Sequence, residues 1–261
     1  MENFSLTETN GLTLAQVPAF GDGAVVHAFS TRIGGVSAAP LGSLNLSYKV
    51  GDDEQAVNEN RRRLGDALGH APEQWATVGQ VHGNHVAVVK GSGNCGEADA
   101  LITDQPGVML AVSVADCVPI LLRDPVKRAV GLVHAGWRGT LAKAVMAALL
   151  AMSEHFGTDF PDVRAVIGPC IGPCCYGVGE EVRESFKKAF PYHGTLFSEE
   201  TFRAPRLDLA LANRYQLRDM LVRDENITVT GLCTSCRSDL FFSHRRDQGK
   251  TGRMMAVIGI K

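Results

Sequence analysis

Two apolar runs near the middle of the chain flank a short polar turn. Residues 116–123 and 128–135 are rich in Val, Ile and Leu, and residues 124–127 between them read Asp-Pro-Val-Lys. β-Branched flanks and a Pro at the second turn position predict an antiparallel hairpin. Paired positions in a hairpin have numbers with a constant sum, so this turn would place Cys117 directly opposite His134.

The other apolar positions alternate between strand and helix patterns. Short apolar runs predict strands over residues 24–30, 75–81, 85–89, 98–103, 108–114, 163–167, 227–232 and 254–260. Apolar residues at helical spacing predict helices near residues 54–68, 140–156, 180–190 and 208–223. We also expect a short hairpin or arm over residues 1–21 and irregular backbone over residues 191–206.

Length and charge narrow the class of protein. A chain of 261 residues allows one large or two modest domains, and its 45% hydrophobic and 21% charged residues are ordinary values for a globular protein. Lys and Arg number 26 against 28 Asp and Glu, so there is no basic excess to bind a nucleic-acid backbone. We therefore expect no nucleic-acid partner.

The N-terminal segment and the cysteines indicate the compartment. The first residues lack the basic start of a signal peptide, and no apolar run approaches the roughly 18 residues of a membrane span. The seven cysteines are odd in number and irregular in spacing, which predicts free thiols in a reducing compartment. We therefore expect a cytoplasmic protein without a membrane partner.

Three residues, each at the end of a β segment beside a Gly or Asp turn, carry the strongest candidate chemistry: His82, Cys117 and His134. A thiolate and two neutral imidazoles suit Zn²⁺, and three protein ligands leave the fourth tetrahedral position for water. That arrangement is typical of a catalytic site, because bound water becomes a nucleophile near neutral pH. A metal-free pair, with Cys117 as nucleophile and His134 as base, is the alternative.

Two arginines beside turns are candidates for holding an anion. Arg32 precedes a Gly-Gly pair at residues 34–35, whose backbone amides can face a phosphate. Arg138 stands at the predicted start of a helix, where free N–H groups attract negative charge. Either arginine can serve a phosphate substrate.

Several other motifs predict chemistry less well. Cys233 and Cys236 have the spacing of a zinc knuckle, but the adjacent pair at residues 174–175 lacks the two-residue gap, so we interpret Cys233 and Cys236 as two buried thiols, with a second metal site as the alternative. The chain lacks the His-x-Glu signature of nucleobase deaminases, a complete P-loop and a Gly-x-Ser-x-Gly elbow.

A set of short motifs resembles the YfiH/laccase-domain family of purine nucleoside phosphorylases. The resemblance runs from about residue 26 to the C-terminus. Its motifs are Ser-Thr-Arg-Ile-Gly-Gly-Val-Ser at 30–37, Ser-Leu-Asn-Leu at 43–46, Asn-Arg at 60–61, Gln-Val-His at 80–82, Ala-Asp-Cys-Val-Pro at 115–119, His-Ala-Gly-Trp-Arg-Gly-Thr at 134–140, Ile-Gly-Pro at 167–169, Cys-Tyr-x-Val-Gly at 175–179, Leu-Asp-Leu at 207–209, Phe-Ser-His-Arg-Arg at 242–246 and Thr-Gly-Arg at 251–253.

This resemblance implies a fold and an activity. The fold would be α+β (mixed α/β), a single domain over residues 1–261 with mixed β-sheets packed between helices in αββα-like layers. A zinc ion would be held by the residues aligned with His82, Cys117 and His134. The activities would be phosphorolysis of adenosine, inosine and methylthioadenosine, and hydrolytic deamination of adenosine.

The same family has also been described as a polyphenol oxidase and as an amidase that edits peptidoglycan precursors. Four coppers need many imidazoles, commonly in His-x-His pairs, and none of the eight histidines is so spaced, which disfavours copper oxidation. The amidase stays an alternative, because an activated water or a Cys-His pair attacks amides too. The sequence leaves the preferred nucleoside and the oligomeric state open.

Overall fold

Two stacked β-sheets form the centre of the protein, and helices cover the outer face of each. The computed structural model describes residues 4–198 and 204–261. Within them the strands are β1 (Ser5–Thr9), β2 (Leu12–Gln16), β3 (Val25–Ser30), β4 (Trp75–Gly79), β5 (Val86–Val88), β6 (Gly93–Glu97), β7 (Ala100–Thr103), β8 (Met109–Val114), β9 (Val118–Asp124), β10 (Ala129–Ala135), β11 (Arg164–Ile167), β12 (Phe197–Ser198), β13 (Arg206–Leu207), β14 (Ile227–Val229) and β15 (Met254–Ile260).

The strands form a seven-stranded sheet in the order β1-β2-β3-β15-β8-β4-β6, and a six-stranded sheet in the order β14-β11-β9-β10-β7-β5. β12 and β13 form a separate pair. Both large sheets are mixed, because β4 is parallel to β8 and β5 is parallel to β7, whereas the central pairs are antiparallel.

The α-helices are α1 (Pro18–Gly21), α2 (Glu54–Leu68), α3 (Trp137–Leu141), α4 (Ala144–Phe156), α5 (Glu180–Ala189), α6 (His193–Leu196) and α7 (Leu209–Asp219). Helix α2 packs on the outer face of the seven-stranded sheet, and α4, α5 and α7 pack on that of the six-stranded sheet. A third apolar cluster lies between the sheets, where Leu110 and Ile258 meet Leu121 and Leu132. These layers confirm the expected αββα arrangement of a mixed α/β domain.

Helix α2 shows how local sequence determines an element. The Asp53 carboxylate accepts hydrogen bonds from the N–H groups of Gln55 and Ala56 at the start of the helix, and Gly69 ends it with a φ of 69°. These are the groups that helix termini require, and the predicted range 54–68 is confirmed.

The central hairpin forms, but its predicted register is wrong. Asp124 pairs with Ala129, and His134 pairs with Pro119 rather than with Cys117. The Asp124 carboxylate accepts hydrogen bonds from the backbone of the loop at 125–128, so Asp124 ends β9 instead of opening the turn. Cys117 consequently precedes β9 by one residue.

Other differences have local causes. The helix predicted over 140–156 is two helices, because Lys143 adopts a left-handed φ of 62° between α3 and α4. The expected N-terminal hairpin is present as β1 and β2. Strand β6 was not predicted, since its polar, mostly exposed residues show no apolar pattern. The segment predicted to be irregular contains α6, β12 and the start of β13, so that prediction is wrong for its described part. Residues 199–203 of this segment lie outside the described residues, and so do residues 1–3 of the N-terminal segment.

The length and composition of the helices bear on membrane association. Across the described ranges, no helix combines the length and the apolar character needed to cross a bilayer.

Candidate functional site

Three connections that pass from the seven-stranded sheet to the six-stranded sheet converge at one place. His82 lies between β4 and β5, Asp99 between β6 and β7, and Cys117 between β8 and β9. His134 lies near the end of β10, beside the start of its antiparallel neighbour β9. The fold therefore brings together residues that are up to 52 positions apart in sequence.

The side chains of His82, Cys117 and His134 form a compact group, called here the His/Cys cluster. Their donor atoms lie within 4.8 Å of one another, and the two imidazole centroids are 4.9 Å apart. Residues His82 and Asp116 adopt left-handed φ values of 61° and 87°. Non-glycine residues rarely adopt this conformation, so the backbone that aims these side chains is strained. The three predicted residues meet although the predicted hairpin pairing is wrong.

Asp99 orients two residues of the cluster through hydrogen bonds. Its buried carboxylate lies 2.8 Å from His134 Nδ1, and it accepts hydrogen bonds from the N–H groups of His82 at 3.0 Å and Gly83 at 2.6 Å. Because Nδ1 directs its proton at Asp99, Nε2 is the nitrogen that faces the cluster, and it can act as a ligand once a metal displaces its proton. The role of Asp99 could not be predicted from the sequence, because a single acid before an apolar strand is not a recognisable motif.

The charges in the cluster stabilise an ionised sulfur. Burial raises the pKa of the Cys117 thiol, but the neighbouring His134 and His82 rings outweigh burial and lower this pKa to about 6. Burial lowers the pKa of His134, but the Cys117 sulfur and the Asp99 carboxylate raise it to about 9. Cys117 is therefore largely a thiolate at neutral pH, which is the form that binds a metal.

The donor set and the space around it fit a metal ion. Two imidazole nitrogens and a thiolate are ligands that zinc and copper both accept. A Cβ atom at Gly136 would lie 3.0 Å from Cys117 Sγ and 3.2 Å from His82 Nδ1. Glycine at this position therefore keeps a side chain away from the donor atoms, and the cluster can hold a metal.

The cluster lies in the wall of a cavity of about 740 Å³. This volume is within the roughly 300–1,000 Å³ range of small-molecule sites. Asp116 is the one acid among the described residues that line the cavity, whereas its cationic side chains are Lys49, Arg61, Arg138, Arg245 and Arg253. The lining therefore favours a ligand with negative charge.

Three of these arginines stack on aromatic rings of the same cavity. The guanidinium carbon of Arg61 lies 4.3 Å from the Tyr48 ring centroid, and that of Arg138 lies 4.2 Å from the Trp137 ring. That of Arg245 lies 4.9 Å from the Tyr176 ring. Aromatic rings and cationic groups are therefore paired in the wall, and a ligand with a planar ring and an anionic group would suit both.

Of the two arginines predicted to hold an anion, only Arg138 lines the cavity. Arg32 donates through Nε and Nη2 to the Gly42 carbonyl and through Nη1 to the Ser238 carbonyl. The amide of Gly35 donates to Ser43 Oγ, so the Gly-Gly turn packs against the chain instead of opening to solvent. This geometry does not support the anion-binding role expected of Arg32.

Arg138 lies at the start of a helix as predicted, but this helix is the short α3 and not the long helix expected over 140–156. It is exposed and stacked on Trp137 in α3, a helix of only five residues. So short a helix has a weak dipole, which means that the guanidinium group itself is the main positive charge available to an anion here.

Asp116 links the cluster to distant segments of the chain, two of which contribute residues to the cavity wall. Its carboxylate accepts hydrogen bonds from Thr234 Oγ1 at 2.6 Å and from the backbone N–H of Arg245 at 2.7 Å. Its carbonyl accepts a hydrogen bond from the N–H of Ile171. These contacts join segments more than 50 residues from Asp116 to the residue directly before Cys117, and sequence spacing alone does not reveal them.

Cys233 and Cys236 differ from the prediction of two buried thiols. Cys236 is exposed, Cys233 is half-buried, and their sulfur atoms lie close to those of Cys174 and Cys175. All four are free cysteines. This group is called here the four-cysteine cluster.

The stacked mixed sheets and the His/Cys cluster between them define a mixed α/β protein with a candidate metal centre in a cationic cavity. A family model described as multi-copper polyphenol oxidoreductase laccase matches residues 26–261. The chain belongs to this laccase-domain family, which includes YfiH and YlmD.

The similarity to known proteins covers nearly the full length of the chain. A protein named purine nucleoside phosphorylase YlmD from Geobacillus stearothermophilus is 43% identical over 97% of this chain and 95% of its own. A purine nucleoside phosphorylase from Deinococcus radiodurans is 43% identical over 96% of this chain and 94% of its own. The crystal structure of YlmD from Geobacillus stearothermophilus has a TM-score of 0.93 at 39% identity and full coverage of both chains. That of the Bacillus licheniformis hypothetical protein YfiH has a TM-score of 0.92 at 36% identity, also with full coverage of both.

Proposed function

We propose that the protein is a zinc-dependent purine nucleoside phosphorylase, acting on adenosine, inosine and methylthioadenosine, and that it also deaminates adenosine. The observation that carries this proposal is the position of the His/Cys cluster in a cavity whose wall contains paired aromatic rings and guanidinium groups. Relatives that are 43% identical carry the name purine nucleoside phosphorylase, which supports the same reaction here.

The aromatic and cationic groups of the cavity match the two substrates of phosphorolysis. Trp137 and Tyr176, each with one ring face against an arginine, bring aromatic surface to the cavity against which a purine base can pack. We assign the phosphate to Arg138, because its guanidinium group lies in the wall and can bind two phosphate oxygens. In the reaction, a phosphate oxygen bonds to the sugar C1′ while the C1′–N9 bond breaks. The base leaves with the electron pair of that bond and takes up the proton that the phosphate loses.

The residues of the His/Cys cluster have separate roles in this proposal. His82, Cys117 and His134 would hold the zinc ion, and Asp99 would keep the proton on His134 Nδ1 so that Nε2 stays a ligand. When bound, zinc supplies Lewis acidity, which activates water for deamination and polarises substrate atoms near neutral pH. With three protein ligands, one position of a tetrahedral site is left for water or substrate.

The family description names copper, but the donor set favours zinc. A multi-copper centre needs several imidazole-rich sites, commonly with His-x-His pairs. Among the described residues, the groups that can hold a metal are the His/Cys cluster and the four-cysteine cluster, and only the first contains histidine. We therefore assign zinc and not polyphenol oxidation to this chain.

The test is to incubate zinc-loaded protein with adenosine, with and without phosphate, and to identify the products. Adenine and ribose 1-phosphate formed only with phosphate are expected for phosphorolysis, and inosine is expected for deamination. The Cys117→Ala variant is the matched control, which should form none of these products. No product from any of the three nucleosides would reject the proposal, and release of an amino acid from a muramyl peptide precursor would favour an amidase instead.

A further inference from the structure

The four-cysteine cluster lies outside the proposed phosphorylase chemistry and combines residues from two distant loops. Cys174 and Cys175 belong to the loop after β11, whereas Cys233 and Cys236 belong to the segment after β14. Strands β11 and β14 are parallel neighbours in the six-stranded sheet, so both loops leave the sheet at the same edge. An isolated bridge between Cys170 and Cys233 keeps the two segments side by side beyond the strands.

The distances between the sulfur atoms match a tetrahedral metal site. The Sγ atom of Cys236 lies 3.4 Å from those of Cys174 and Cys175, and all four sulfurs lie within 4.8 Å of one another. Zinc–sulfur bonds of 2.3 Å in a tetrahedron place the sulfurs about 3.8 Å apart, whereas a disulfide needs about 2.05 Å. The four thiols therefore surround a space of the size that one ion occupies.

The backbone around the sulfurs is arranged as in other thiolate sites. The N–H of Gly172 donates to Cys233 Sγ at 3.3 Å. A Cβ atom at Gly172 would lie 3.3 Å from Cys174 Sγ, closer than most Cβ contacts, and 3.6 Å from Cys233 Sγ, which is an ordinary contact distance. Hydrogen bonds from backbone N–H groups stabilise negative charge on sulfur. The guanidinium groups of Arg206 and Arg245 line the surface depression beside Cys174 and Cys175.

We propose that Cys174, Cys175, Cys233 and Cys236 bind a structural Zn²⁺ ion as four thiolates. Four protein ligands fill a tetrahedral zinc site, so no position is left for water or substrate. The site is consequently structural, and it is a second metal site separate from the His/Cys cluster.

The zinc would hold in place the two loops that contact Asp116. The loop after β11 carries Ile171, whose N–H donates to the Asp116 carbonyl, and the segment after β14 carries Thr234, whose hydroxyl donates to the Asp116 carboxylate. Asp116 directly precedes Cys117. One ion joining the two loops would therefore fix both contacts to the residue that aims Cys117.

The test counts zinc in a background where the His/Cys cluster cannot bind metal. The full-length Cys117→Ala protein, produced with zinc in the medium and purified without chelator, is expected to contain one zinc per chain by elemental mass spectrometry. Adding Cys233→Ser and Cys236→Ser is expected to reduce this to none. Adding Cys95→Ser instead is the matched control, because Cys95 lies outside both clusters, and it should leave one zinc per chain.

Measurements on the unsubstituted protein keep the proposal testable if a variant fails to fold. We expect the four cysteines to be protected from a thiol-specific alkylating reagent, and to become reactive when a strong chelator removes the metal. Zinc absent from the Cys117→Ala protein, rapid alkylation of all four before chelation, iron with sulfide in place of zinc, or a disulfide within the cluster would each overturn the proposal.

Discussion

The His/Cys cluster and the four-cysteine cluster both contain cysteine sulfur, but they lie in different surroundings. The His/Cys cluster has three donors of mixed type in the wall of a cavity, at connections between the two sheets. The four-cysteine cluster has four sulfurs near the surface, at one edge of one sheet. Ligand number and surroundings, and not the presence of cysteine, distinguish a site that can react from one that can only stabilise.

The largest expected effect comes from removing the sulfur of the His/Cys cluster. The Cys117→Ala protein should lose its bound zinc at that cluster and lose phosphorolysis by at least about 10³-fold, because several kcal/mol of transition-state stabilisation disappear. Elemental analysis and steady-state kinetics with adenosine measure the two effects. Wild-type activity in this variant would remove the His/Cys cluster from the mechanism.

The next expected effect is a loss of stability in acid, and it comes from a buried histidine outside both clusters. His27 is buried outside both, its Nε2 accepts a hydrogen bond from the Val17 N–H, and burial lowers its pKa to about 4. The unfolded chain therefore takes up this proton first, so stability is full above about pH 6.5 and falls by ~3 kcal/mol as pH drops to about 4.

Denaturant titrations of metal-free protein between pH 7 and 4 measure this loss. The His27→Gln variant, which can still accept the Val17 hydrogen bond, should show a flatter pH dependence. Replacement of the exposed His155 by Gln is the control and should leave the slope unchanged. An equal slope in wild type and His27→Gln would contradict the assignment.

The next effect separates ligands from the residue that orients them. Asp99→Asn keeps the size of the side chain but removes its negative charge beside His134, so zinc affinity and kcat should fall about 10–100-fold. A competition assay with a zinc chelator and steady-state kinetics measure both quantities. Asp104→Asn, at an exposed position, is the control. A change in KM alone would argue against an orienting role.

A smaller effect concerns the phosphate. Arg138→Ala should raise the KM for phosphate about 10-fold, the value of one lost charge-assisted hydrogen bond, with little change in the hydrolytic formation of inosine. Arg218→Ala, an exposed arginine of α7 outside the cavity, is the control. A phosphate dependence equal to that of wild type would remove Arg138 from this role.

The smallest effect on activity is expected at the four-cysteine cluster. The combined Cys233→Ser and Cys236→Ser change should lower kcat by less than about threefold, because these residues act only through the cavity wall. Kinetics at saturating substrate measure it. A loss as large as that of Cys117→Ala would show that the four-cysteine cluster is not merely structural.

The sequence predicted the positions of helices and strands better than it predicted which residues pair with one another. The strand range 254–260 and the helix range 54–68 are confirmed to the residue, since periodicity and caps are local signals. The hairpin register is wrong, because the side-chain bonds of Asp124 decide where β9 ends. Periodicity contains no information of that kind.

Roles that depend on distant residues could not be predicted. Arg32 beside two glycines has the sequence pattern of an anion site. In the structure, its guanidinium group instead donates a hydrogen bond to the carbonyl of Ser238, 206 positions away. Cys174 meets Cys236 across 62 positions, so the adjacent cysteine pair showed no recognisable spacing. The positions of His82, Cys117 and His134 at the ends of β segments and the resemblance to a known family both grouped these residues, whereas the predicted pairing of Cys117 with His134 is wrong.

The crossing of the chain between its two sheets at the His/Cys cluster has a thermodynamic consequence. His82 follows a strand of one sheet, whereas Cys117 directly precedes β9 and His134 lies in β10 of the other sheet. An ion bound by all three would therefore connect the two sheets. Such an ion binds the folded chain far better than the unfolded one, and at 100 times its Kd it adds about 2.7 kcal/mol to folding. The melting temperature of this protein should therefore rise with the concentration of free metal in its surroundings.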